Sequence, residues 1–348
     1  MTSVSVGKRS VGDGQPCLIA AEIGINHNGD MDLALRTIDA AADAGADAVK
    51  FQNYVTEDFV SDQRLTYSYT SGGREVTETQ YAMFKRCELA PGSLALLKSH
   101  SDRRGLLFFS TPTGPSGIAE LVAVGAALVK NGSDFLTHVD MVRTMAASGI
   151  PTVLSTGMAT LAEVDSAVRN FRQAGGTKLV LLHCTSSYPA PAHDINLRRM
   201  ATLRAAFGCP VGFSDHSQGV LAAANAAVLG ACLIEKHFTL DRSLPGPDHW
   251  FSSDPAELAA LVRAVRDAER MLGTPQPGPT ASEEASRLQF RLSCTARRAM
   301  AAGTKLAFGD IVFRRPGTGI SPDQREALIG LTLVKEVHAG DTLTWAHF

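Results

Sequence analysis

The segment Val211–His216 reads VGFSDH, an apolar run that ends on a serine, an aspartate and a histidine. A second run, Cys232–Phe238 (CLIEKHF), carries a histidine at its own end, 21 residues after the first. This interval leaves room for one helix between two parallel strands, whose carboxyl ends then lie at the same edge. The two segments therefore predict neighbouring strands with His216 and His237 side by side at their ends.

Six further runs have the same apolar, β-branched character, and helical patterns fit between them. They are CLIAAEIGIN (17–26), AVKFQN (48–53), LLFFST (106–111), ALVKNG (127–132), PTVLST (151–156) and LVLLHC (179–184). The runs are continuously apolar rather than alternating, which is typical of parallel strands covered on both faces. One helix begins at a capping box formed by Thr160 and Glu163. Eight such units predict an α/β fold, the TIM (β/α)8 barrel, and a doubly wound sheet is the alternative.

The charge balance and the composition exclude several classes of partner. The 348 residues include 33 Lys and Arg and 35 Asp and Glu, and the net charge of −2 gives no overall field to hold nucleic acid or an anionic membrane. Six cysteines form no CxxC pair, which indicates reduced thiols. The longest apolar stretch, 221–234, is too short to cross a bilayer, and the first residues lack the apolar core of a signal peptide. We therefore expect a soluble, cytoplasmic protein whose partners are small molecules.

Two segments interrupt the repeating pattern. The connection 54–91 is polar and aromatic, and two interpretations fit it: a lid or substrate wall over the strand ends, or a disordered surface loop. The segment 272–286 is rich in Pro, Gly and Ser, which is typical of a linker. The predicted organisation is a barrel domain over 1–271, this linker, and a small β-rich domain over 287–348. Strands are expected there at DIVFRR (310–315) and LTLVKEV (331–337).

Polar side chains stand at all eight predicted strand ends, where a barrel of this kind assembles its chemistry. They are Glu22, Asn26, His27, Lys50, Gln52, Ser110, Thr111, Lys130, Ser133, Ser155, Thr156, His183, Thr185, Ser214, Asp215, His216, Glu235, Lys236 and His237. Lysines that end apolar strands, Lys50 and Lys130, predict either a bound anion with nearby hydroxyls or ordinary salt bridges. Imidazoles on neighbouring strands, His216 and His237, predict a divalent metal site with positions left open for substrate.

A rigid turn follows the last predicted strand, where Pro245 and Pro247 flank Gly246. It carries Asp248 and His249, which we expect over the same face as an acid–base pair. The chain has no P-loop, no GxGxxG after a strand and no GxSxG elbow, which disfavours NTPase, dehydrogenase and serine hydrolase activities.

Six motifs resemble those of the sialic acid synthases, in the same order and over essentially the whole chain. They are AEIGINHNGDMDLALRTIDAAADAGADAVKFQ (21–52), LSTGMATLAEVDSAV (154–168), LLHCTSSYP (181–189), GFSDHSQG (212–219), EKHFTLDRSLPGPDH (235–249) and RRPGTGISP (314–322). This NeuB-type family comprises neuraminate, legionaminate and pseudaminate synthases and a version that makes a phosphorylated sugar acid. The resemblance implies a TIM barrel followed by a small, β-rich, antifreeze-like SAF domain.

The resemblance also implies a reaction. Phosphoenolpyruvate condenses with an aldose, commonly an N-acylmannosamine, and gives a nine-carbon 2-keto-3-deoxy acid and phosphate through C–O cleavage. A divalent ion, Mn2+ or Mg2+, is implied at the two residues that match the family's metal-binding histidines, His216 and His237, where it activates the aldehyde.

Residue by residue, the resemblance implies a site made of catalytic and substrate-binding groups. The implied catalytic residues are Glu22, His216, His237 and Asp248. The implied substrate-binding residues are Lys50, Gln52, Thr111, Lys130, Ser133, Ser155, Ser186, Tyr188, Ser214 and Arg315. Arg315 is expected to reach the active site of the other subunit in a domain-swapped homodimer.

Five positions depart from the family's usual pattern, and they are Thr113, Asn131, Asp134, Ser186 and Thr318. These changes cluster on the expected sugar side, which predicts an acceptor other than N-acetylmannosamine, such as a differently substituted, non-acylated or phosphorylated hexose. Two other functions stay open. A seven- or eight-carbon keto-deoxy acid synthase is disfavoured by the C-terminal motif RRPGTGISP, and a non-catalytic sugar-binding protein is disfavoured by the retained histidines and lysines.

Overall fold

The computed structural model describes residues 2–348. In that range the strands are β1 (Ser3–Val6), β2 (Arg9–Gly12), β3 (Leu18–Gly24), β4 (Ala48–Asn53), β5 (Thr66–Ser71), β6 (Arg74–Thr79), β7 (Leu107–Pro112), β8 (Leu128–Lys130), β9 (Thr152–Ser155), β10 (Leu179–Cys184), β11 (Val211–Asp215), β12 (Leu233–His237), β13 (Ser293–Ala296) and β14 (Ile311–Arg314). The α-helices are α1 (Met31–Asp43), α2 (Thr56–Phe59), α3 (Gln80–Cys87), α4 (Ser93–Arg103), α5 (Pro115–Ala123), α6 (Val139–Ala147), α7 (Leu161–Gln173), α8 (Arg199–Phe207), α9 (Leu221–Val228), α10 (Pro255–Leu272), α11 (Glu284–Phe290) and α12 (Arg325–Leu328). Within these residues, no helix has both the length and the apolar character that a bilayer span requires.

Eight strands close into a barrel in the order β3-β4-β7-β8-β9-β10-β11-β12, and every neighbouring pair is parallel. Each corresponds to one of the apolar runs in the sequence, so the predicted TIM barrel is confirmed and the doubly wound alternative is wrong. Thr160 and Glu163 form the predicted capping box at the start of α7. Most barrel-strand residues are buried, because helices cover the outside of the barrel while inward side chains fill it.

The hairpin β1–β2 fills the amino end of the barrel. Its side chains Val4, Val6 and Val11 are buried and pack with inward barrel residues such as Leu18 and Phe109. The sequence analysis did not predict this hairpin. Since apolar side chains occupy that end, the cavity described below lies at the carboxyl ends of the strands.

The insertion 54–91 is folded, so the disordered-loop interpretation is wrong. It forms α2, the antiparallel hairpin β5–β6 and α3. Three aromatic rings hold it together: Tyr54, Phe59 and Phe84 pack edge to face, with ring centroids 5.0 to 5.6 Å apart. The Tyr54 hydroxyl donates a hydrogen bond to the Phe84 carbonyl at 3.0 Å. The insertion therefore has a small apolar core of its own, next to the strand ends.

A second compact unit, Thr274–Phe348, follows the barrel unit, which ends at Gly273. The predicted linker, 272–286, overlaps the last residue of α10 and the first three residues of α11. Strands β13 and β14 pair antiparallel, so the strand predicted at DIVFRR is present. The strand predicted at LTLVKEV is wrong, because that segment makes only isolated bridges, among them one between Met300 and Val337. Two of its apolar residues, Leu333 and Val337, are instead buried in the apolar core of this unit.

Candidate active site

A cavity of about 400 Å³ opens at the carboxyl ends of the barrel strands, and we call it the strand-end cavity. Thirteen of the fourteen predicted site residues line it, namely Glu22, Lys50, Gln52, Thr111, Lys130, Ser133, Ser155, Ser186, Tyr188, Ser214, His216, His237 and Asp248. The remaining one, Arg315, belongs to the second unit. The barrel topology thus brings together residues that are up to 226 positions apart in the chain, as in Glu22 and Asp248.

Four buried charges form the floor of the strand-end cavity. The Lys50 ammonium lies 2.8 Å from Glu22 Oε1 and 3.8 Å from Glu235 Oε1, and it donates a hydrogen bond to Thr111 Oγ1 at 3.0 Å. The Lys130 ammonium lies 3.4 Å from Glu235 Oε1. Lys50 is therefore shared between the two glutamates, and Lys130 contacts one of them. Neither lysine is a free cation. These contacts fit the salt-bridge interpretation of the lysines, and the bound anion stays a prediction.

The two carboxyl groups of this cluster differ in their protonation. Burial raises the pKa of Glu22 to about 7, although Lys50 opposes the rise. Burial also raises the pKa of Glu235, but Lys130 and Lys50 outweigh it and leave that pKa below its usual value. When the environments of two carboxyl groups move their pKa values apart in this way, one group can act as an acid while the other stays ionised. The sequence analysis listed Glu235 among the polar strand ends but assigned it no catalytic or binding role.

A row of hydroxyl groups borders the charged floor. Ser133 Oγ donates to Ser155 Oγ at 2.9 Å and accepts from the Gly157 amide at 3.1 Å. Asn131 Oδ1 accepts from the Ser155 amide at 2.7 Å, so this departure from the family pattern supports the row from below. A Cβ atom at Gly157 would lie 2.3 Å from Ser186 Oγ, and only glycine allows this approach.

The two histidines lie side by side, with ring centroids 5.3 Å apart. His216 Nδ1 donates to the Thr185 carbonyl at 2.8 Å, which leaves Nε2 as the nitrogen with a free lone pair. His237 Nδ1 is buried without a hydrogen-bond partner and lies 3.8 Å from Asp248 Oδ2. The predicted juxtaposition of the imidazoles is therefore present.

The surroundings shift the pKa values of the two imidazoles in opposite directions. Burial lowers the pKa of His216, but Cys184, the Thr185 carbonyl and Glu235 together raise it above its usual value. Burial, and then the charge of His216, lower the pKa of His237 well below its usual value, so its imidazole is neutral. A metal ion held by both rings would satisfy the unpartnered nitrogen of His237. Among residues 2–348 no three His, Cys, Asp or Glu side chains converge as a ready ligand set, so the protein offers two imidazoles and an open site.

The opposite wall of the strand-end cavity is apolar. Ile25, Tyr54, Phe59, Met83 and Phe84 line it, and all but Ile25 belong to the insertion 54–91. The sequence analysis named the insertion as a possible substrate wall but none of these side chains. The sequence feature that could have identified them is the concentration of aromatic residues in the otherwise polar segment 54–91.

Several residues singled out in the sequence do not line the strand-end cavity. His249 is 1% exposed and does not line the cavity, so only Asp248 of the expected acid–base pair faces it. Lys236 and Asp215 form a separate buried ion pair at 3.0 Å. Successive side chains at a strand end point to opposite faces of the barrel sheet, and only one of these faces lines the cavity.

Comparison with known proteins agrees with this geometry. Residues 37–277 match the NeuB family, and residues 293–348 match the SAF domain. The N,N'-diacetyllegionaminic acid synthase of Legionella pneumophila is 40% identical over 98% of this chain and 97% of its own length. The enzyme of that name from Campylobacter jejuni is 35% identical over 91% of this chain and 96% of its own length. A crystal structure of N-acetylneuraminic acid synthetase from Leptospira borgpetersenii is 35% identical, with a TM-score of 0.73 over 82% of this chain and 94% of that one.

Two buried histidines predict a loss of stability in acid. Burial lowers the pKa of both His27 and His249 from 6.5 to about 4. The unfolded chain then binds more protons than the folded protein between these values, so the stabilisation is complete above pH 6.5 and is lost as the pH falls toward 4, by about 1.4 kcal/mol per pH unit for each histidine. In His249→Asn, the drop in the free energy of unfolding between pH 7 and pH 5 should be smaller than in the wild type by about 1–2 kcal/mol. Urea unfolding at both pH values measures this, and equal drops would show that His249 is charged in the folded protein.

Proposed function

The chain belongs to the NeuB family, and from that premise we propose that it is a transferase that condenses phosphoenolpyruvate with an aldose. The products would be a nine-carbon 2-keto-3-deoxy sugar acid and inorganic phosphate. One observation carries this proposal: two buried lysines, a row of hydroxyl groups and two adjacent imidazoles line one cavity at the strand ends. A non-catalytic sugar-binding protein would not need this concentration of buried charge, which is costly to maintain.

Phosphoenolpyruvate would bind over the charged floor. Lys50 and Lys130 would turn from their glutamates toward its phosphate and carboxylate, with donors from the hydroxyl row completing the contacts. The hydroxyl donors proposed are Thr111, Ser133, Ser155 and Ser214. Ser214 Oγ donates to Glu235 Oε1 at 3.3 Å, so it is already oriented toward this floor. The short distances among these groups support a single anion site rather than separate ones.

The chemistry follows from the charges that this anion brings. Carbon 3 of phosphoenolpyruvate attacks the aldehyde carbon, water adds to the cation left at carbon 2, and the bond between carbon 2 and the phosphate oxygen breaks. A divalent ion, Mn2+ or Mg2+, held by His216 and His237 would polarise the aldehyde carbonyl. Glu22, whose pKa of about 7 lets it hold or release a proton at neutral pH, would carry out the proton transfer.

The sugar would occupy the space between the imidazoles and the apolar wall. Gln52, Ser186, Tyr188 and Asp248 would contact its hydroxyl groups. The Tyr188 ring lies 4.2 Å from that of His216, and Asp248 lies 3.8 Å from His237, so both groups are beside the expected aldehyde. Burial raises the pKa of Asp248 to about 6.

The far wall supports an unphosphorylated acceptor with an apolar substituent, such as an acylamino group. Phe59, Met83 and Phe84 offer apolar surface there, and Asp134 adds a negative charge to the cavity lining. Both lysines of the cavity lining are assigned to phosphoenolpyruvate, and the lining contains no other Lys or Arg for a sugar phosphate. The diacetylated product in the names of the Legionella and Campylobacter relatives agrees with an acylated acceptor.

The second unit supports a domain-swapped homodimer in which Arg315 reaches the partner's site. The Arg315 guanidinium lies 5.0 Å from the centre of the Phe290 ring, so the aromatic face orients it. Large apolar side chains of this unit are exposed, among them Leu288, Phe290, Phe308, Val334 and Trp345. Exposed apolar surface of this kind is typical of an interface with another subunit.

The first prediction is that the purified protein releases phosphate from phosphoenolpyruvate only when an aldose and a divalent metal are both present. Phosphate release and mass spectrometry of the sugar acid measure this over a panel of hexoses, hexosamines and their 6-phosphates with Mn2+. His216→Ala and His237→Ala should abolish turnover while their circular dichroism stays that of the wild type. No release with any acceptor would make the synthase proposal wrong, and unchanged rates in EDTA would contradict the metal.

The second prediction concerns the acceptor. With N-acetylmannosamine and its 6-phosphate as a matched pair, kcat/KM should be at least about tenfold higher for the unphosphorylated sugar, because Asp134 adds negative charge and the barrel lining has no Lys or Arg besides Lys50 and Lys130. Phe84→Ala should raise KM more for N-acylated hexoses than for mannose. A preference for the 6-phosphate would contradict this assignment and leave the reaction itself untouched.

The third prediction tests the shared site. Neither Arg315→Ala nor Lys50→Met alone should turn over at an appreciable rate. When the two variants are mixed and allowed to exchange subunits, each hybrid has one site with both residues intact, so activity should reappear. Mixtures that stay inactive after exchange is confirmed by native mass spectrometry would show that Arg315 serves its own subunit.

A further inference from the structure

The loop that follows β12 carries Asp248, and it is held by asparagines from the loop that follows β3. We propose that Asn28 is a positioning residue that fixes Asp248 beside His237 and the acceptor sugar. This inference rests on the proposed function, since it concerns a residue of that same site. Asn28 itself does not line the strand-end cavity, so it would act through Asp248.

Asn28 holds the loop on both sides of Asp248. Its Nδ2 donates to the Pro245 carbonyl at 2.7 Å and lies 3.2 Å from His249 Nε2. An amide NH2 group has two hydrogens, and these two acceptors use both. Because the acceptors lie three residues before and one residue after Asp248, the amide fixes the short segment between them.

The direction of the remaining hydrogen bonds follows from this contact. If His249 Nε2 accepts from Asn28, its Nδ1 carries the hydrogen and donates to Thr239 Oγ1 at 2.6 Å. The Thr239 hydroxyl then donates to the Asp241 carbonyl at 3.1 Å. Only a neutral imidazole completes this chain, and the burial that lowers the pKa of His249 to about 4 keeps it neutral. His249 thus serves as a relay inside the loop, which is why it faces away from the cavity.

A second set of hydrogen bonds, from Asn26 through Ser252, reaches the backbone of Asp248. Asn26 Nδ2 donates to the Phe238 carbonyl at 2.9 Å and to Ser252 Oγ at 3.0 Å. The Ser252 hydroxyl in turn donates to the Asp248 carbonyl at 2.6 Å. Asn26 and Ser252 are both at most 2% exposed, so water does not compete for these bonds.

Gly246 allows the loop to come this close. Its φ of +144° lies in a region that side chains rarely adopt, and a Cβ atom there would lie 2.8 Å from both Asn28 Oδ1 and His249 Cδ2. Its amide donates to Ser71 Oγ at 3.2 Å, which ties the same loop to the hairpin β5–β6. The loop is therefore anchored from two sides, and Asn28 holds the residues on either side of Asp248.

Steady-state kinetics of Asn28→Ala test this role. A displacement of Asp248 by about 1 Å should raise KM for the aldose, or lower kcat, by about tenfold or more. KM for phosphoenolpyruvate should stay within about twofold, because Lys50 and Lys130 lie on β4 and β8, away from both loops. Asn170→Ala is the matched control, since that amide also donates to a backbone carbonyl, Ser166 at 2.8 Å, but on an outer helix. If Asn28→Ala does not fold, Asn28→Asp keeps the shape and removes both donors.

A double-mutant cycle separates positioning from general stability. In an Asp248→Asn background, Asn28→Ala should cost little further activity, because its effect passes through the missing carboxylate. Additive losses, or equal rises in KM for both substrates, would overturn the positioning role. A wild-type protein without phosphate release would overturn the proposed function and this role with it. Wild-type turnover with an unchanged aldose KM and kcat in Asn28→Ala would overturn only the role of Asn28.

Discussion

The strand-end cavity depends on the need to neutralise four charges where water is scarce. Lys50, Lys130, Glu22 and Glu235 end four different barrel strands, and each is at most 5% exposed. None of them can be buried alone, because an isolated charge in such a place costs several kcal/mol. The parallel barrel resolves this by directing all four to one point, so the site exists only when the barrel is closed. The four side chains therefore compensate one another's charge within the closed barrel.

The two ends of the barrel illustrate how one fold separates stability from chemistry. At the amino end, Val4 and Val6 of the hairpin β1–β2 complete an apolar core with the inward side chains. At the carboxyl end, strands of the same apolar character finish in lysine, glutamate, serine and histidine. The apolar end stabilises the barrel, which offsets the cost of the polar end. Substitutions at the two ends should therefore have different consequences, with stability affected at one and the reaction at the other.

Much of this arrangement could be predicted from the sequence, because a barrel strand with both faces covered leaves an uninterrupted apolar run. His216 and His237 were expected to be neighbours on that basis, and their rings are. The hairpin β1–β2 was not predicted, since strands of four residues give too short an alternation. The turn at Asp248 and His249 has the composition of an acid–base pair, but only Asp248 lines the cavity. His249 instead contacts Asn28, and no local pattern in the sequence shows this tertiary contact. Lys50 could be recognised as buried, but no local pattern shows that Glu22 is its partner.

The insertion 54–91 has a further consequence for how this site can diverge. Its Tyr54, Phe59, Met83 and Phe84 supply most of the apolar wall, and all lie in one continuous segment between β4 and α4. The residues of the charged floor lie outside this segment, on β3, β4, β8 and β12. A gene that exchanged only this short stretch would acquire a different wall and keep the same floor. Substitutions confined to this one segment can therefore reshape the apolar wall while the four charged residues stay unchanged.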